Sequence, residues 1–169
     1  NKWYKPTILE ISSDIEIISQ EMFNIFKDVE EINIKANVKE IYPNCFHQFE
    51  HLKTIYLPSS LQMIGYGNFE QCELLENIYY YGNYSNWINI DFASWDCNPM
   101  YRAEHFYMLN EKGDWYEPTR FIIPEGTTEI KYAAFAGNKW FNSIEIPSTI
   151  THIKNEVFYE NYNLENVYY

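Results

Sequence analysis

Residues Ile55 to Leu75 read IYLPSSLQMIGYGNFEQCELL. Ile55 and Leu57 flank Tyr56, the alternation of a half-buried strand, and Pro58 closes that strand where a missing N–H harms the ladder least. After a turn come Leu61, Ile64, Phe69 and Leu75. Alone, this is a strand with an irregular return path. Its meaning lies in recurrence. Ile32 stands 23 residues before Ile55, with Val38, Ile41, Phe46 and Leu52 following at the same offsets. The strand position falls at Leu9, Ile32, Ile55 and Ile78, and again at Phe121, Ile144 and Val167, always in steps of 23. An aromatic sits 14 residues after five of these starts: Phe23, Phe46, Phe69, Phe135 and Phe158. A large apolar residue sits 20 after the same starts: Val29, Leu52, Leu75, Phe141 and Leu164. A fixed period of this length marks a solenoid and outranks any local motif.

The physics follows from the period. One such coil cannot bury its own apolar face, and stacking joins the faces into one core. Each strand then hydrogen-bonds to the next at about 4.8 Å, so six or seven coils make a rod of roughly 30 Å. Phe23, Phe46, Phe69, Phe135 and Phe158 are the expected core column.

The repeat, of form IxIPxxIxxIxxxxFxxCxxLxx, resembles the BspA-like class of leucine-rich repeat found in bacterial surface proteins. The stretches that carry the likeness are IYLPSSLQMIGYGNFEQCELLEN, FIIPEGTTEIKYAAFAGNKWFNS and IEIPSTITHIKNEVFYENYNLEN, and it covers residues 8–80 and 121–169. The resemblance implies a right-handed leucine-rich-repeat solenoid, mainly β with short helical turns, as a single domain over residues 1–169. It implies surface adhesion and recognition and brings no catalytic residue. The family's Cys after the Phe is kept only at Cys72; Phe26, Phe49, Asn138 and Asn161 occupy the matching places.

Composition agrees with a folded, non-nucleic-acid-binding chain. Of 169 residues, 46% are apolar, ample for a core. The net charge of −12, from 24 acidic and 12 basic residues, disfavours DNA, RNA and anionic membranes. No apolar run reaches the roughly 20 residues of a transmembrane helix. The chain shows no secretory signal and does not begin with Met, so it reads as a segment of a longer array whose signal and anchor lie elsewhere. Cys45, Cys72 and Cys97 are odd in number and read as buried free thiols.

Between the two runs of coils the period breaks. Residues 78–120 read as one enlarged coil, with Trp87, Ile88, Ile90 and Phe92 tying it to the core. Asn98-Pro99 starts a helical turn over Met100 to Ala103. Phe106–Leu109 and Trp115–Glu117 flank a Gly-containing hairpin loop. The first residues, with Trp3 and Tyr4, form a lead-in, and the first coil carries Ser12 where later coils have Pro.

His47-Gln48-Phe49-Glu50-His51 matches H-x-x-E-H, a zinc-peptidase pattern. That chemistry needs both imidazoles on one helix face and a third ligand. Here the five residues fall inside one coil, between core positions Phe46 and Leu52, so the match reads as adventitious. His105 and His152 are isolated, and no metal or other cofactor is implied. Asn33, Tyr56, Tyr79, Ile122, Glu145 and Tyr168 fall on the outward strand positions with Glu10, and Tyr81 lies beside them. Tyr offers large contact area, few rotamers and a polar tip, which suits a protein ligand. The two alternatives are a glycan held by exposed Trp or Tyr side chains, which the exposure of Trp95 or Trp115 would favour, and a structural spacer.

Overall fold

In a computed structural model of the chain, described over residues 6–12, 14–35 and 37–169, the coils stack with the period intact. Trp3 and Tyr4 lie outside the described residues. Leu9 pairs with Ile32, Ile32 with Ile55 and Ile55 with Ile78, all in parallel. Phe121 pairs with Ile144 and Ile144 with Val167 in the same way. The result is a mainly-strand parallel β-solenoid.

Each coil contributes twice to the ladders. Its first strand enters the main sheet, and a two-residue strand enters a second sheet. In the N-terminal part the second sheet stacks Ile17–Ile18, Glu40–Ile41, Met63–Ile64 and Asp91–Phe92. In the C-terminal part it pairs Glu129–Ile130 with His152–Ile153. The remaining side of each coil is a run of turns with its own coil-to-coil hydrogen bonds. Gln48 N donates to Glu70 O at 3.0 Å, and Gly137 N to Tyr159 O at 2.8 Å. These turns use left-handed backbone at two matched places per coil: Asn44, Gly67, Ala133 and Glu156, then Gln48, Gln71, Gly137 and Glu160. For a non-glycine residue that conformation costs about 1–2 kcal/mol. It recurs because only this bend aims the N–H at the neighbouring coil.

Inside, the apolar faces merge. Phe46, Phe69 and Phe135 are fully buried and Phe23 nearly so. Phe23 lies 6.2 Å from Phe46, Phe46 lies 5.9 Å from Phe69, and Phe135 lies 5.8 Å from Phe158. Phe158 is only half-buried, and Val167 in the last strand is 40% exposed. The column is also interrupted between Phe69 and Phe135. There Trp87 fills the core, 4.8 Å from Phe106 and 5.7 Å from Phe92.

The stretch 78–120 differs from a single enlarged coil. Ile78 pairs in parallel with Phe106, so a coil of 28 residues comes first. Tyr84–Ile88 is a short α-helix capped by Asn83, where the sequence named only Trp87, Ile88, Ile90 and Phe92 as ties to the core. Strand His105–Leu109 then turns back antiparallel into Trp115–Tyr116. That reversal ends the first main sheet of six strands, and Arg120–Ile122 begins a second of three. The strand ladder is therefore not continuous from end to end. Across the gap, side chains take over. Trp87 Nε1 donates to Ala134 O at 2.8 Å, and Asn98 Nδ2 donates to Ala133 O at 2.9 Å. Asn98 Oδ1 also accepts from Met100 N and caps the Pro99–Tyr101 turn.

The thiols are built into the same scheme. Cys45 Sγ donates to Ile18 O at 3.2 Å and Cys72 Sγ to Phe46 O at 3.2 Å, each reaching back one coil. Cys97 Sγ donates to Ser94 O at 3.0 Å and sits 3.4 Å from Ile64 O. All three are free and buried. Burial pushes the Cys45 and Cys72 thiols up to about 12 and moves Cys97 in the same direction.

Two predictions arise here. Phe69→Ala, cutting the aromatic column at its centre, should cost about 3–5 kcal/mol by urea unfolding; a loss under about 1 kcal/mol would contradict this core. The thiols should resist alkylation in the native state and react in denaturant. Their folded pKa values lie above the unfolded ones, so they take no stability away below about pH 9. Stability should fall as pH climbs from there towards 12, and Cys72→Ala should flatten that slope.

Candidate functional site

The outward positions of the first main sheet stack in register: Glu10 with Asn33, Asn33 with Tyr56, Tyr56 with Tyr79, and Tyr79 with Tyr107. Parallel in-register strands bring like positions to one strand spacing, close to the stacking distance of aromatic rings. The rings accordingly form a row. Tyr56 and Tyr79 are 4.6 Å apart with planes at 13°, and Tyr79 and Tyr107 are 4.6 Å apart at 16°. Ring faces meet along this row.

The hairpin closes over the row. Asn110 Oδ1 accepts from Lys112 N and Asp114 N, both at 2.9 Å, and Gly113 takes the left-handed conformation in open space. This places Trp115 edge-on against Tyr79 at 5.0 Å, with Tyr81 at 5.2 Å and Tyr56 at 6.2 Å. All five rings are half-buried. At the hairpin's base, the Tyr116 and Tyr84 hydroxyls are 3.0 Å apart, and Tyr84 donates to Arg120 O at 3.2 Å. Glu117 Oε1 lies 3.0 Å from His105 Nδ1 and accepts from Phe106 N.

The surroundings are acidic. Burial first, and then Glu31, push the Tyr56 hydroxyl above its ordinary range. Burial, then Glu117, act in the same way on Tyr107. Lys35 offsets part of this field but is itself held by Glu10 at 2.7 Å. Asn33 is buried beside Tyr56, and its Oδ1 has no hydrogen-bond partner.

The structure thus brings Asn33, Tyr56, Tyr79 and Tyr81 together on one face. It places Ile122, Glu145 and Tyr168 on the other main sheet, as a separate row. There Arg120 bonds Glu145 at 2.5 Å and lies 4.9 Å over the Tyr168 ring, so that row is occupied by its own neighbours. Sequence reading missed Tyr107, because the 28-residue coil shifts it out of the period. The triplet Phe106-Tyr107-Met108 repeats the apolar–Tyr–apolar character of Ile78-Tyr79-Tyr80, and that was the available signal. Neither tryptophan named for sugar contact stands free: Trp115 covers the tyrosines, and Trp95 packs against Tyr101 at 4.6 Å and Tyr159 at 4.9 Å.

The H-x-x-E-H segment is a run of turns, and Gln48 within it has φ +63°. His47 Nδ1 is 3.5 Å from Glu70, while His51 is exposed. His152 sits 2.9 Å from the Thr151 hydroxyl. Among the described residues no group of three His, Cys, Asp or Glu side chains could hold a metal. No helix among them is long and apolar enough to cross a membrane.

Comparison with known proteins places the repeat. The family model for the BspA type leucine rich repeat region matches six copies over residues 3–97 and 115–169. Two solved structures are similar. A leucine-rich repeat protein from Eubacterium ventriosum shares 19% identity at TM-score 0.49, covering 95% of this chain and 39% of that one. A leucine rich cell surface protein from Faecalibacterium prausnitzii shares 18% at TM-score 0.48, covering 96% and 41%. The chain therefore spans about two fifths of the length of either. No curated protein matches it.

Trp115→Ala should strip the cover from the tyrosine row at a cost of about 2 kcal/mol, the sum of its aromatic contacts. Near-ultraviolet circular dichroism should lose intensity while far-ultraviolet signal stays. Unchanged near-ultraviolet signal would mean that Trp115 does not pack on the row.

Proposed function

We propose, from the premise that this chain belongs to the BspA-type leucine-rich-repeat family, that it is a non-enzymatic module which recognises a protein partner through the outward face of its first main sheet. The observation that carries this is the stacked row Tyr56, Tyr79 and Tyr107 with Trp115 and Tyr81 against it. Tyr and Trp dominate binding energy where they sit in rigid, partly desolvated clusters. The rings are already ordered by each other and by the ladder, so little side-chain entropy is lost on binding. Glu31, Glu76 and Glu117 make the rim negative, which favours a partner with a basic face and speeds its approach at low salt. The setting we assign is the bacterial cell surface or the secreted space, with this chain as one stretch of a longer array.

Against any protein that the chain retains from an array of secreted and surface proteins, Tyr56→Ala and Tyr79→Ala should each weaken affinity by about 2 kcal/mol, roughly thirtyfold. Raising the salt should slow association. Unchanged affinity in both variants would remove this face from consideration, provided both melt as the parent does.

A further inference from the structure

A second surface feature lies on the turn side of the coils, and no residue of either main sheet lines it. It is a cleft of about 490 Å³ whose walls include Tyr101, Arg102, Lys139, Glu160, Tyr162 and Asn163. Its volume falls in the range of small-ligand sites, about 300–1,000 Å³. It forms where the Pro99–Tyr101 turn meets the two coils that follow the period break. Gly137 sits at the contact with φ +77°, and a Cβ there would fall 2.4 Å from Tyr101 Cα. Trp95, wedged against Tyr101 and Tyr159, stiffens the wall from behind.

The chemistry of the walls is specific. Tyr162 is 86% exposed and presents a ring to the cleft's mouth. Arg102 lies with its guanidinium 5.5 Å over the Tyr101 ring, and its buried Nε has no hydrogen-bond partner. Its Nη1 is 3.4 Å from Glu73, and Lys139 Nζ is 2.9 Å from Glu104. Burial first, and then Glu160, push the Tyr101 and Tyr159 hydroxyls above their ordinary range. So Arg102 and Lys139 each already have a counter-charge, and Glu160 lies near two tyrosine hydroxyls, beside the open ring of Tyr162. A carboxylate or phosphate ligand would enter against three nearby glutamates and a chain of net charge −12. A cation would meet Arg102 and Lys139. A peptide would find no strand edge to extend.

What fits is a neutral molecule dense in hydroxyls with one apolar face. We infer that this cleft binds a neutral saccharide, one sugar ring lying on Tyr162, its hydroxyls shared among Arg102, Lys139, Glu160 and Asn163.

The test is calorimetric titration with neutral trisaccharides built from glucose, mannose, galactose or N-acetylglucosamine, beside trigalacturonate as the acidic control. Binding of at least one neutral sugar is expected, with trigalacturonate inert. Tyr162→Ala should weaken it about tenfold, as loss of one stacking ring does, and Tyr162→Phe should restore it. Tyr162 is exposed, so the fold survives its truncation, and matching thermal melts check this. Tyr79→Ala, on the strand face, should leave sugar binding unchanged. The inference is overturned if no neutral sugar in the set binds at millimolar concentration, if trigalacturonate binds equally well, or if Tyr162→Ala binds as the parent does.

Discussion

A coil of this chain has nothing to fold against except the coil before it. That dependence sets every other feature. Each strand residue must find its partner one period away, since a slip of one residue would send Ile32, Ile55 and Ile78 outward. The consequence is that like meets like. Phenylalanine stacks near phenylalanine inside, tyrosine on tyrosine outside, and left-handed turn residue over left-handed turn residue at the bends. Stacking like charges would be costly, and the surface avoids it. Glu30 faces Lys53 at 2.7 Å and Glu16 faces Lys39 at 3.1 Å, each 23 residues apart. Lys53 holds the Glu30 carboxyl below its usual range through their hydrogen bond. Exposed pairs like these add little stability. Their use is in opposing the wrong register, where a slip of one residue would set Glu16 against Glu40 and take Glu30 from Lys53.

The break in the period shows what the ladder was supplying. After the 28-residue coil and its hairpin, no strand of the first main sheet pairs with the second. The two halves are held instead by side chains, among them the indole of Trp87 and the amide of Asn98, both bonded to the Ala133–Ala134 carbonyls, with Tyr84 bonded to Arg120 O and Lys131 to Asp91. The chain makes room for this with Ala133, Ala134, Ala136 and Gly137, all buried. Larger side chains there would push the Pro99–Tyr101 turn away. Small residues on one side and a large aromatic on the other replace a strand pair by a plug in a socket.

Much of this was legible in the residues. The period gave the strand register to the residue, from Leu9 to Ile78 and from Phe121 to Val167, because a repeat constrains many positions at once. What stayed hidden depended on contacts between unlike segments. The helix Tyr84–Ile88 is too short for a helical periodicity to show, and its Asn83 cap is visible only once the backbone is known. Gln48, Gln71 and Glu156 have no preference for left-handed backbone, so nothing in their identity announced the bend that the coil-to-coil hydrogen bonds impose. Of the face, Tyr56, Tyr79 and Tyr81 could be read from alternation. Tyr107 and the covering Trp115 belong to the stretch that leaves the period, so only the local triplet Phe106-Tyr107-Met108 pointed to the first and nothing to the second.

The tyrosine row joins the two halves of the argument, stability and recognition. Phenylalanine would stack as well, and threonine would suit the strand. Tyrosine does one thing more: it keeps its ring in the stack and its hydroxyl at the surface. The proposed partner would therefore meet a row of polar tips on a fixed repeat, backed by stacked rings. The second main sheet carries Ile122, Glu145 and Tyr168 at the same outward positions, and there no ring stacks on a ring; Arg120 binds both Glu145 and Tyr168 instead. The same scaffold thus yields an aromatic face where three outward positions in succession are tyrosine, and a self-paired ionic one where they differ. On the proposed reading, recognition along this solenoid would follow from which outward residues recur, because the ladder repeats whatever it is given.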